Sequence, residues 1–140
     1  MAIAQAMCSS FKPEILGGIH DLDTDAIFIA LYTSSATLGA GTTAYTATNE
    51  VATAGGYTAG GIQLTSPVIT LDGTTGICDF ADATWPAATI TARGALIYNS
   101  SKSNKAIAVL DFGSDKISTA GAFTIIMPAA AAATALVRIS

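Results

Sequence analysis

Charge is what this chain lacks most. Six Lys and Arg against ten Asp and Glu leave 11% of its 140 residues charged and a formal net charge of −4, where ordinary soluble domains carry about 25%. Six cations opposed by ten acids make no basic face, which argues against nucleic acid as a partner. Histidine occurs once, as His20, and the two cysteines, Cys8 and Cys78, have neither C-x-x-C spacing nor a companion histidine. A zinc-ligand pattern is therefore missing, and the cysteines read as inert thiols of an intracellular protein. No apolar run reaches the ~18 residues of a membrane span. The closest, Ile125 to Val137, is interrupted by Pro128 and Thr134. The first seven residues lack the basic start and long apolar stretch of a secretory signal, so neither membrane nor export is expected.

Apolar residues make up 51% of the chain, too many for disorder, and its length suits one domain. Thr, Ser, Asn and Gly stand where Lys and Glu usually sit. Soluble monomers normally carry mixed surface charge. A weakly charged Ala/Thr skin therefore suits a surface that meets other protein, or simply an uncharged soluble domain.

Ile3, Met7, Phe11 and Ile15 recur at four-residue spacing, one stripe of a helix. Pro13 argues against one straight helix. Two short helical pieces are expected, the second starting near Pro13 and closed by Gly17-Gly18. Residues 1–20 thus read as an N-terminal helical segment whose stripe packs on its own domain or on a partner.

Residues 21–140 read as a β domain. Ala26 to Tyr32 is an apolar run rich in strand formers, expected to be covered on both faces. Thr33 to Gly61 is a long Gly/Thr/Ala-rich excursion, either functional or hiding short edge strands around Tyr45 to Val51. Its glycine pairs, Gly55-Gly56 and Gly60-Gly61, suit a bend or a close approach to another backbone. Asp72-Gly73 marks a hairpin between Ile62–Leu71 and Gly76–Phe80. Ile90 to Tyr98 alternates with a period of two. The polar turn 99–105 leads into Ala106–Phe112, a further turn is expected at Gly113–Lys116, and strands follow at Phe123–Met127 and Ala135–Ile139. Residues 129–133 read as a loop leading into the last of these. Some eight strands without strand–helix alternation predict an all-β fold, an antiparallel β-sandwich of jelly-roll type with a short helical N-terminal segment.

Groups able to do chemistry are few. His20 beside Asp21 has no nucleophile elbow to serve and reads as an exposed residue. Asp21-Leu22-Asp23-Thr24-Asp25 resembles the start of a calcium loop, but Ala26 stands where the turn glycine belongs and Tyr32 where the bidentate Glu belongs. A solvated acidic turn is expected. Asp111-Phe112-Gly113 reads as a strand end. Trp85 and Tyr57 are sugar-stacking candidates if exposed and core residues if not. Arg93, in an apolar strand, needs a carboxylate, with Asp79, Asp82 or a partner's acid as candidates. No catalytic residue, metal or cofactor is expected.

The runs Ala30–Gly39 (ALYTSSATLG), Tyr57–Gly61 (YTAGG) and Arg93–Lys105 (RGALIYNSSKSNK) resemble those of small virion proteins of tailed bacteriophages, the capsid cement or decoration proteins. That resemblance implies a jelly-roll sandwich on the outer face of an assembled shell. It implies a homodimer bound to the phage major capsid protein, made in the host bacterial cytoplasm and carried on the virion exterior. Ile3, Met7, Phe11 and Ile15, with Tyr45 and Tyr57 in the 33–61 loop, are then the candidate contacts. The alternative is a tail receptor-binding module that uses Tyr57 or Trp85 on host glycans.

Overall fold

The apolar run after Asp25 forms a strand, and the rest of the architecture is arranged around it. The computed structural model describes residues 2–140. Eight strands occur among them: β1 (Ala6–Met7), β2 (Ile27–Tyr32), β3 (Ile62–Gln63), β4 (Val68–Asp72), β5 (Thr75–Asp79), β6 (Ala83–Asn99), β7 (Lys105–Ile125) and β8 (Val137–Ile139). One α-helix, α1 (Phe11–Leu16), follows β1, and a single 3-10 turn, Ser100–Lys102, joins β6 to β7. The strands form a five-stranded sheet in the order β1-β7-β6-β2-β3 and a three-stranded sheet in the order β4-β5-β8, with every named pairing antiparallel. Side chains of both sheets share one core. The chain is an all-β antiparallel sandwich with a short helical segment near its N-terminus.

In β2, Ile29, Ala30, Leu31 and Tyr32 are all fully buried, so the strand is covered on both faces. The Asp72-Gly73 hairpin forms as the turn residues require, with Gly73 at φ +62° and Asp72 opposite Thr75. The glycine pairs approach other backbone closely. A Cβ on Gly61 would lie 1.7 Å from the Ile29 carbonyl oxygen, and one on Gly56 2.4 Å from that of Ala87.

Three expectations need correction. The first twenty residues are not a pair of helices. Ala6-Met7 is a strand paired with Val109 and Ala108, and Ile3 bridges Leu38. A spacing of four is two periods of a strand as well as about one turn of a helix, so Ile3 and Met7 fit either. The helix starts at Phe11, before Pro13, and Gly18 (φ +76°) lies just beyond its end. Second, Gly113–Lys116 does not reverse the chain. Between the pairs Gly94↔Asp111 and Ala92↔Lys116, β7 carries three extra residues, with Gly113 at φ +80°, and the strand continues past this bulge. Pro86 sits at another irregularity, between Trp85 and Ala88, the kind of position where a strand tolerates a missing N–H. Third, no strand forms around Tyr45–Val51. That segment is held by isolated bridges, Ala44 to Lys105 and Tyr32 to Glu50.

Candidate interaction surface and internal polar clusters

The long 33–61 excursion is held to the large sheet by one carboxylate. Glu50 is the single charged residue between Asp25 and Asp72. Its Oε1 accepts from the Tyr45 hydroxyl, and its Oε2 accepts from the Tyr57 hydroxyl and the Gly60 N–H, both at 2.6 Å. The Tyr57 oxygen also accepts the Leu31 N–H of β2 at 2.9 Å. Tyr98 donates to the Gly60 carbonyl at 2.7 Å and Tyr32 to that of Thr46 at 2.6 Å. All four tyrosines thus act at this clasp, and Tyr45 stacks on Tyr98 with ring centroids 4.8 Å apart. Burial first, then the nearby Glu50 charge, pushes the Tyr57 and Tyr45 hydroxyls above the ordinary phenol range, so they remain donors. A lone acid amid aromatics in a charge-free stretch was the sequence signal of this cluster.

A second polar cluster closes the base of α1. His20 is buried, not exposed as its acidic neighbours suggested, and its ring lies 4.9 Å from that of Phe11. Its Nε2 pairs with Glu14 at 3.0 Å and its Nδ1 with the Asn99 amide nitrogen at 3.0 Å. Asn99 also donates to Asp25 at 2.8 Å, and its Oδ1 accepts the Ser101 N–H. The Asn99 amide NH2 faces Nδ1, so that ring nitrogen is placed to accept while Nε2 is directed at Glu14. Lys105 and Lys102 close the cluster on Glu14 and Asp25. The side chains answer one another.

Other sequence candidates fall into place. Asp21 caps its own turn by accepting the N–H groups of Asp23 and Thr24. No metal-binding group of three or more ligands occurs among the described residues. Arg93 pairs with Asp111 at 3.3 Å, not with Asp79 or Asp82, because the β6–β7 register brings Asp111 opposite its neighbour Gly94. Asp82 instead accepts the Met127 N–H. Cys8 and Cys78 are free and buried, and burial pushes their thiols up to about 11 and about 12.

Of the six candidate contact residues, Ile3, Phe11 and Tyr57 are buried in the chain's own core. Met7, Ile15 and Tyr45 are half-buried against it. Tyr57, 2% exposed, and Trp85, 3% exposed, lie against each other inside, with ring centroids 5.9 Å apart and planes tilted by 38°, and offer no face to a sugar. Exposed aliphatics lie elsewhere. Leu16 is 82% exposed, and Ile117 and Ile126 are likewise mostly exposed. On the small sheet Val68, Ile69, Leu71 and Ile139 stand out. Two grooves flank that sheet: one of about 830 Å³ between β1/β7 and the 132–140 segment, and one of about 280 Å³ between Ile15–Leu22 and the inner face of β4, β5 and β8. Sequence reading missed these aliphatics because strand-forming residues resemble core residues until their neighbours are known.

Compared with protein-family models, curated proteins and solved structures, the chain matches none.

Proposed function

We propose that this chain is a structural virion protein, a cement protein that binds the outer face of an assembled phage shell and bridges neighbouring major-capsid subunits. The observation that carries the reading is where the apolar side chains and the ionised groups lie. Among the described residues, eight large aliphatic side chains stand exposed on a surface with little charge, while the polar clusters around Glu50 and His20 are engaged in holding the fold. Such a molecule is equipped to adhere. The resemblance of the Ala30–Gly39, Tyr57–Gly61 and Arg93–Lys105 runs to phage cement proteins supplies the kind of partner.

The mechanism is mass action. A ligand that binds the assembled lattice and ignores free subunits favours assembly by RT ln(1 + [L]/Kd). Contacts to two subunits from one rigid body raise the effective concentration at the second, so each contact is allowed to be weak. Burying one exposed aliphatic side chain at such a contact contributes about 1.5–3 kcal/mol. Ile117 and Ile126 on β7 and its continuation are the contacts we assign to the shell, because Ile3 and Phe11 are occupied inside the chain.

Co-sedimentation of the purified chain with assembled shells and with unassembled major-capsid subunits tests this. Saturable binding to shells alone, weakened by Ile117→Asp or Ile126→Asp, is expected. Equal binding to both forms, or none to shells, overturns the reading.

A further inference from the structure

We propose that two copies of this chain pair through the free edge of β4, joining their three-stranded sheets into one continuous six-stranded sheet across a two-fold axis at Thr70. The inference goes beyond shell binding and does not depend on it.

β4 lies at the edge of its sheet, and all five of its residues are exposed, Ile69 at 55% and Leu71 at 68%. Natural edges are normally blunted with lysine, proline or a bulge. This one carries none of these within the strand, and its register with β5 runs unbroken from Val68↔Asp79 to Asp72↔Thr75. Its one charge, Asp72, is turned back onto the chain, where Oδ2 accepts the Ala132 N–H at 2.6 Å.

The turn fixes which backbone groups are free. The two residues Gly73-Thr74 close the hairpin, so Asp72 and Thr75 form the hydrogen-bonded pair and Thr70 and Val68 also address β5. The N–H and C=O groups of Ile69 and Leu71 therefore point away from the sheet. Antiparallel pairing about Thr70 sets Ile69 opposite the partner's Leu71 and Leu71 opposite the partner's Ile69. Four main-chain hydrogen bonds form, with aliphatic side chains facing across each pair. Asp72 meets the partner's Val68, so no like charges are opposed. A strand with this self-complementary order suits an isologous interface.

The apolar surface extends past the edge. The register places Ile69, Leu71, Cys78, Val137 and Ile139 on one face, and of these only Cys78 and Val137 are covered. Across the 280 Å³ groove stand Ile15 and Leu22, with exposed Leu16 and Ile19 beside them. At roughly 60–120 Å² for each aliphatic side chain fully buried, the exposed parts of Leu16, Ile19, Val68, Ile69, Leu71 and Ile139 come to about 200–400 Å² in each copy. With all of them covered and the main chain of both edges added, two copies withdraw up to about 1,000 Å², the lower bound of a specific interface.

Sedimentation velocity of the full chain without shells tests the pairing, together with two variants. The wild type sediments as a dimer, and Leu71→Lys, which sets a cation at each exposed pair, sediments as a folded monomer. Thr70→Cys, on the axis where antiparallel Cα atoms lie about 4.5 Å apart, oxidises to a covalent dimer, whereas Val68→Cys does not. The native cysteines are buried and do not compete. A monomeric wild type, or a dimer that persists in Leu71→Lys while Thr70→Cys fails to cross-link, overturns the proposal. A dimer that ignores shells leaves it standing and counts against the cement function alone.

Discussion

The two sheets of this sandwich use the same residue types in opposite ways. In the large sheet, β2 and the second half of β6 bury Ile29, Leu31, Leu96 and Ile97 completely, and the 33–61 loop is fastened over them by Glu50 and the tyrosines. In the small sheet, Ile69, Leu71 and Ile139 belong to the inner face yet remain more than half exposed. Low charge in the composition thus has two physical meanings. Around β2 and the second half of β6 it reflects a well-covered interior, and around the small sheet, as at Ile117 of β7, an apolar surface left open to contact.

The sharpest way to break this contrast is to shorten one leucine in each region. Leu96→Ala empties a site with no exposure and is expected to cost about 2–5 kcal/mol, while Leu71→Ala, taken on monomeric protein, stays within about 0.5 kcal/mol. Urea unfolding of both variants checks this, and equal losses would erase the distinction. Glu50→Ala comes next. It strands two tyrosine hydroxyls and the Gly60 N–H, an expected loss of about 1–3 kcal/mol, and Glu50→Gln, which keeps acceptor capacity, loses less. Proteolysis within 33–61 is expected to quicken in step.

The pH dependence gives two smaller effects with opposite signs. Cys8 and Cys78 have folded values raised by burial to about 11 and about 12, so the fold favours the neutral thiols. Their contribution is full below about pH 9 and is lost as pH rises through those values. The raised tyrosines act on the same limb. Replacing both cysteines by alanine is expected to soften the alkaline loss in a thermal-melt series. The smallest effect is acidic. The Gly113 N–H and then Arg93 hold Asp111 below the usual carboxylate range. Burial of Asp25 works against ionisation, but Asn99, the Asp21 N–H and Lys102 outweigh it and leave its value lowered. Stability from both is present above the ordinary carboxylate range and is lost as pH falls through the lowered values. Asp111 keeps about a quarter of its side chain in solvent, so its part of the change in midpoint is expected to be slight, and Arg93→Ala removes only part of it.

How far the sequence revealed this arrangement depended on the range of the forces involved. The Asp72-Gly73 hairpin, the covered Ile27–Tyr32 strand and the polar turn after Asn99 were legible because turn chemistry and side-chain alternation act locally. The continuity of β7 through Gly113 was not, since a bulge and a turn use the same residues and only the partner strand separates them. His20 read as exposed because its acidic neighbours are sequential, whereas Asn99, which sets its ring, lies 79 residues away. The Ile3/Met7/Phe11/Ile15 stripe was rightly apolar, but its period did not decide between strand and helix. Its burial shows that it serves the core of this chain.

Whether adhesion to a shell is the work of this molecule is decided most directly by cryo-electron microscopy of intact particles. The account predicts density for an eight-stranded sandwich seated on the outer surface between major-capsid subunits, with Ile117 and Ile126 turned toward them. Density for the chain in the tail, or its absence from the particle, would contradict it.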